Sequence, residues 1–559
     1  MMSIFGLLGI HIPTTKTLRA VMLLALALSA GAVFAGGRTL WQDGGVQLCG
    51  PTASTPMTTT SDSAGGAIVV WEDSRISPGS IYAQRVNGSG VLLWTDGGVC
   101  VDGSVGPGAL KVVDDGENGA IVVWGPSSTG ASIAIQRLSA DGVPLWGDSG
   151  LELRPLVGNP PLDNHPVVVG DAHGGAIVAW TANVVVSGPL DTLIACRVDS
   201  SGTKRWETTV RIDTMDVAPP CLCPDGLGGV ILAWQEYEAG VRHVRVQRVD
   251  SAGAIRWDVA GVRACTLSTT QAARACLDVG DRFIVGWFGG AGVWQHRAQM
   301  FDVAGNQLWG QAGVPVSGGF SSSSASVGLS SGIGRQSVWA WEENRSGADD
   351  IFAQKLDSSG GRHWDTTGIW VGTTDTVDGY PFSATGDGRG GAITAWPLFR
   401  TDRNSDVHAQ HVDSAGHLCW SDTGLAVCQD TDNQRRTPAV ISDGNGGAII
   451  VWTEWRWGEG SALCAQRVVD VAWVDEAPNV EVRAMEPGST VVKGVLRLEV
   501  DSRQRAVCRA ELLDAAGRKV AVLHKGANDV GGFAPGVYFV KAESRVTSHK
   551  QVARVVITR

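Results

Sequence analysis

The chain has 559 residues, of which 43% are hydrophobic and 18% charged, with 74 glycines and 22 tryptophans. That length exceeds one ordinary core, and that composition excludes a disordered chain. A formal net charge of −11 argues against a nucleic-acid partner, which needs a basic face.

At the N-terminus, Lys16 and Arg19 precede an apolar run from Ala20 to Ala35 that ends Val33-Phe34-Ala35. A basic flank, a short apolar core and small residues before the cut are the parts of a secretory signal peptide. We expect residues 1–35 to be removed between Ala35 and Gly36 and the mature chain to be exported. No later segment approaches the roughly 20 apolar residues of a membrane span.

From residue 36 the sequence repeats about every 53 to 56 residues. One family of tryptophans falls at 71, 124, 180, 234, 287, 341, 396 and 452; a second falls at 41, 94, 146, 206, 257, 309, 364 and 420. Each first-family Trp ends an apolar run such as Ala67-Ile68-Val69-Val70-Trp71, the pattern of a strand buried on both faces. An aspartate lies nine residues earlier in seven repeats (Asp62, Asp115, Asp171, Asp225, Asp278, Asp387, Asp443), usually followed by Gly-Gly, as in Asp443-Gly444-Asn445-Gly446-Gly447. This is turn chemistry, in which Asp accepts backbone N–H bonds and glycine supplies positive φ. A further strand follows, such as Ile81-Tyr82-Ala83-Gln84-Arg85-Val86, with ten residues from its Gln to the second Trp.

Four strands in fifty-odd residues, repeated in tandem, predict a β-propeller. The N-terminus opens on a half unit, Thr39-Leu40-Trp41, and the eighth unit leaves the pattern at Val468-Val469-Asp470. One end thus supplies what the other lacks. The expectation is all-β: an eight-bladed β-propeller over 36–474, closed by an N-terminal strand.

Beyond Asp475 the charge changes sign. Residues 480–559 carry 14 Lys/Arg against 8 Asp/Glu, whereas 36–479 carry 29 against 48. Short alternating strands, among them Val495 to Val500 and Val555 to Arg559, predict a small β-sandwich over 475–559. Leu513-Asp514-Ala515-Ala516-Gly517-Arg518, Pro535-Gly536-Val537-Tyr538-Phe539 and the terminal basic-apolar strand resemble the C-terminal sorting domain of type IX (Por) secretion cargo. The same pattern is shared by the Ig-like fold of flagellar hook-capping proteins, so the resemblance implies that this β-sandwich is Ig-like. The resemblance implies that Asp514, Gly517, Arg518, Pro535, Gly536, Val537 and Tyr538 form a sorting motif for secretion machinery. It also implies translocation across the outer membrane, with release or attachment at the cell surface.

Chemistry is sparse. Gly328-Leu329-Ser330-Ser331-Gly332 matches G-x-S-x-G but is expected in a serine-rich loop, without the strand-turn-helix of a nucleophile elbow. Gly386-Asp387-Gly388-Arg389-Gly390-Gly391 matches G-x-G-x-x-G yet is the repeat's own hairpin. Of the eleven cysteines, Cys265 and Cys276 could bridge neighbouring strands. Each Asp turn offers one carboxylate, too few for a calcium loop. No metal, cofactor or catalytic residue is expected.

One constellation could bind a ligand: an acid two residues and an Arg four residues after the first-family Trp, in Asp73/Arg75, Glu343/Arg345 and Glu454/Arg456. These pairs would form a polar rim on one face of the ring, or ion pairs tying loops to a neighbouring blade. Trp455 and Trp457 beside the last pair could stack on a sugar. The expected function is an exported, non-catalytic scaffold that binds a glycan or protein; the alternative is a secreted hydrolase of polysaccharide or peptide.

Overall fold

A computed structural model describes residues 36–471 except 76–78, 104–106, 127–132, 155–165, 186–188, 214–219, 239, 268–270, 291–293, 319–326, 332–334, 346–348, 375–381, 400–403, 429–432 and 457. Beyond 471 it describes Arg518 and the strands named below. Two compact units divide between Asp470 and Val471. Among the described residues, no helix is long and apolar enough to cross a membrane.

The first unit is a β-propeller of tandem antiparallel sheets. Strands β1 (Gly37–Thr39) and β2 (Val46–Cys49) precede the first full repeat, which is built from β3 (Ala53–Ser61), β4 (Ala67–Asp73), β5 (Ser80–Val86) and β6 (Val99–Asp102). Six sheets have this four-stranded form. A nine-stranded sheet holds the last two repeats, joined by one parallel bridge between Ser405 and Gln434. The first strands of successive repeats lie side by side in chain order, and the last of them, Gln434–Ser442, returns to β3.

The sequence pattern has a direct physical cause in the first repeat. Trp71 is wholly buried on β4, as are Ala67 to Val70 around it. The Asp62 carboxylate accepts the N–H groups of Ala64 and Gly66, at 2.9 and 2.6 Å. The two glycines of this turn serve different purposes. Gly65 has φ +84°, while a Cβ on Gly66 would lie 2.3 Å from the Val86 carbonyl oxygen. Only the first is there for its backbone conformation.

Gln84 is fully buried; its amide oxygen accepts from Arg85 N and Trp94 N while its amide nitrogen donates to the Thr95 carbonyl. That pair of bonds sets the ten-residue Gln-to-Trp spacing. Trp94 itself does not lie in a strand; it sits in the connection before β6. There its indole N–H reaches the next repeat, donating to the Ala140 carbonyl at 2.9 Å.

The first and last strands of the first unit reproduce the same geometry in two pieces. β1 pairs antiparallel with Gly460–Asp470, Gly37 opposite Asp470 and Thr39 opposite Val468, and β2 pairs with that strand as well. Trp41 N donates to Gln466 Oε1, and Gln466 Nε2 donates to the Gln42 carbonyl. The indole of Trp41 then donates to Gly88 O in the first repeat. Contacts some 425 residues apart in sequence thus copy those made locally elsewhere.

In the second unit a five-stranded sheet contains Thr490–Lys493, Arg509–Leu513, Lys519–Leu523, Gly536–Glu543 and Lys550–Thr558. Its first and last members run parallel, Thr490 opposite Val555. A two-stranded sheet pairs Val495–Leu498 with Gly526–Asp529. Gly536, Val537 and Tyr538 open a central strand of the larger sheet, and Arg518 is exposed. Asp514, Gly517 and Pro535 lie outside the described residues, as do the leader 1–35 and Trp457.

Candidate ligand face

Antiparallel connectivity puts the Asp turns at one end of each sheet. The connections between second and third strands, and those leading to the next repeat, lie at the other end. Every acid–arginine pair of the sequence reading belongs to this second end.

The acids of those pairs are buried. Asp73 accepts the Trp71 indole N–H at 2.9 Å, the Arg75 backbone N–H at 2.9 Å and the guanidinium at 2.6 and 2.8 Å. Burial pushes its pKa up, but these donors hold it below the usual carboxylate range. Arg75 also donates to Gly97 O and lies 4.0 Å over the Tyr82 ring. Glu343 repeats the arrangement with Trp341 and Arg345, both at 2.8 Å, and Arg345 stacks on Phe352. Glu454 takes Arg456 at 2.8 Å and the buried Arg435 at 3.1 Å. Each pair joins elements of its own repeat; at Asp73 and Glu343 the indole N–H beside the acid supplies a fixed anchor, whereas at Glu454 the Arg435 guanidinium takes that place.

Exposed aromatics mark the same end. Tyr237, Trp294 and Trp455 are 37%, 37% and 45% exposed, and each lies in or beside a connection between second and third strands. Trp294 stacks on Phe288 with ring centroids 5.3 Å apart. Phe288 continues to His296 at 4.9 Å, and His296 to Trp341 at 6.0 Å. His296 is so buried that its pKa falls to about 3, so the ring is neutral. Trp294 escaped the sequence reading, although it is one of the six tryptophans outside both repeat families, and that was the available signal.

The opposite end carries a second constellation that the sequence reading missed. In six repeats the turn aspartate is clamped by the residue after the repeat's Gln position: Asp62–Arg85, Asp115–Arg137, Asp171–Arg197, Asp225–Arg248, Asp387–His411 and Asp443–Arg467, at 2.7 to 3.1 Å. The second-family Trp and this basic residue donate to one carbonyl of the next repeat, as Trp146 and Arg137 both do to Ser200 O. The signal was in the exceptions. The fifth repeat has Met300 at the clamp position, and there burial raises the pKa of Asp278. The sixth has Lys355 and, at the Asp position, Gly332.

Two other expectations are corrected. Gly328 to Ser331 form part of the strand Val327–Ser331, with Ser330 opposite Val338, and the next described element is again a strand. This is the first strand of a sheet rather than a loop. Cys276 lies against Cys223, Sγ to Sγ 2.6 Å, not against Cys265, because the first strands of the fourth and fifth repeats are neighbours. The ten described cysteines are unbridged.

No family model matches the chain, and no curated protein matches it either. Solved structures offer distant likeness only. The BP39L lectin from Burkholderia pseudomallei is 14% identical over 68% of this chain and 100% of its own, with a TM-score of 0.44. An ulvan lyase of polysaccharide lyase family PL25 is 12% identical over 68% of this chain and 97% of its own, with a TM-score of 0.37. Prolyl oligopeptidase B from Galerina marginata is 13% identical over 80% of this chain and 62% of its own, with a TM-score of 0.39.

Proposed function

We propose that the chain is an exported, non-catalytic binding scaffold. Its first unit is read as an eight-bladed propeller that takes a glycan or protein ligand at the end bearing Tyr237, Trp294 and Trp455. The observation that carries this reading is the exposure of those three aromatics on connections of one end. An exposed indole stacks on a sugar ring at low entropic cost. The engagement of Asp73 and Glu343 by indole and guanidinium donors, and of Glu454 by two guanidinium groups, favours binding over acid–base hydrolysis, which needs a carboxyl group able to exchange a proton with substrate. Eight blades are inferred from eight members in each tryptophan family and from eight first strands in cyclic contact.

Export rests on the leader pattern, and sorting by secretion machinery rests on the C-terminal motif. A glycan array with the mature protein tests the reading. Binding without turnover, weakened in Trp294→Ala and Trp455→Ala at unchanged melting temperature, supports it; product released from a polysaccharide or peptide turns the assignment to hydrolase. For the sorting motif, C-terminal sequencing of exported material decides whether it is processed, and a uniform Arg559 terminus argues against removal of the domain.

A further inference from the structure

The seventh repeat departs from the clamp pattern at three positions at once. Arginine at the clamp position is replaced by His411. The residue before the second Trp, leucine in Leu40, Leu93, Leu145 and Leu308, is Cys419. The backbone carbonyl that receives the indole in the other repeats is replaced by a side chain: Trp420 Nε1 donates to Asp470 Oδ1 at 2.7 Å. An imidazole, a thiol and a carboxylate therefore meet where the first, second and eighth repeats have a guanidinium, an alkyl chain and a carbonyl. Their ligand atoms all lie within 4.8 Å of one another.

We propose that His411, Cys419 and Asp470 form a binding site for a borderline divalent transition cation, Zn²⁺ being the best match. The donor set of one nitrogen, one sulfur and one oxygen suits that class and not Mg²⁺ or Ca²⁺, which take oxygen. His411 Nδ1 lies 3.0 Å from both carboxylate oxygens of Asp470. A cation about 2.0–2.2 Å from nitrogen and oxygen ligands spans an N···O edge of about 3–3.5 Å. The outer partners are in place as well. His411 Nε2 faces Asp387 Oδ2 at 3.1 Å, the carboxylate–histidine arrangement that fixes the tautomer of a metal-ligating imidazole. His411 and Asp470 are buried while Cys419 is half-buried, so the cation would meet solvent on the thiolate side, with water as fourth ligand.

In the metal-free chain a proton on Nδ1 occupies the space between His411 and Asp470. Binding exchanges that proton and the Cys419 thiol proton for the cation. Because Asp470 also pairs with Gly37 of β1, the cation would sit at the junction where the first and last strands of the first unit meet.

The test uses the full mature chain, stripped with a chelator and titrated with Co²⁺ and then Zn²⁺. We expect one saturable equivalent, a thiolate-to-Co²⁺ charge-transfer band, and its loss on adding Zn²⁺. Two variants are supplied by the repeat itself and should fold: Cys419→Leu, and His411→Arg, which gives the clamp the arginine that five other repeats carry. Both should keep the native melting temperature without metal and lose the band. Asp387→Asn should weaken affinity by about 10–100-fold. Absence of saturable binding by the wild-type chain, or a band that persists in both repeat-matching variants, overturns the site.

Discussion

The first and fifth repeats place the same turn at the same end of a sheet and stabilise it differently. In the first, the Arg85 guanidinium meets a fully buried Asp62 and continues to Ala140 O of the next repeat. In the fifth, Met300 stands where the guanidinium would be, and Asp278 keeps only part of its turn bonding, with its pKa raised by burial. A buried carboxylate needs a full set of donors, and where the cation is lost its charge is disfavoured. The clamp therefore belongs to the scaffold, and repeats that abandon it are free to diverge. The fifth repeat, which lacks the clamp cation, carries Trp294, Phe288 and His296, stacked toward Trp341 of the sixth, while the seventh keeps the clamp with His411 in place of arginine.

The sharpest break of this comparison is Arg85→Met, which copies the fifth repeat into the first. Removing one partner of a buried pair costs about 3–5 kcal/mol, read as a lower midpoint in denaturant unfolding. The reverse change, Met300→Arg, places a guanidinium at a core position that is 1% exposed; it should pull the Asp278 pKa down in an NMR titration at a packing cost of about 1–3 kcal/mol. A larger loss there would show that the fifth sheet has repacked around its methionine.

A smaller effect is expected at the opposite end. Arg75→Ala leaves Asp73 with the Trp71 indole and Thr52 as its side-chain donors and should cost about 1–3 kcal/mol. If instead it abolishes ligand binding at unchanged stability, the pair is recognition surface. Trp94→Phe keeps the ring but removes the bond to Ala140 O, for about 0.5–1.5 kcal/mol.

The last prediction is silent at neutral pH. The folded pKa of His296, about 3, lies below its ordinary 6.5, so the unfolded chain binds the extra proton. Its contribution is present above pH 6.5 and is lost as pH falls toward 3. His296→Phe should flatten that acid loss; an unchanged pH profile would show that the imidazole is hydrated.

The sequence by itself determined the repeat and its strands. The spacing of Asp62, Gly66, Trp71, Gln84 and Trp94 is local chemistry in which each residue bonds within its own unit, so periodicity exposes it. It also marked the two half units at Trp41 and Val468 as complementary. Tertiary structure decided which groups meet across units. Arg85 and Asp62 are 23 residues apart and share a turn only after the second and third strands pair. Cys276 finds Cys223 only because first strands are neighbours. His411, Cys419 and Asp470 converge only where the first and last strands of the first unit join, a proximity that no spacing rule contains. The aromatics Tyr237, Trp294 and Trp455 share one end by strand alternation, while their exposure depends on what packs beside them.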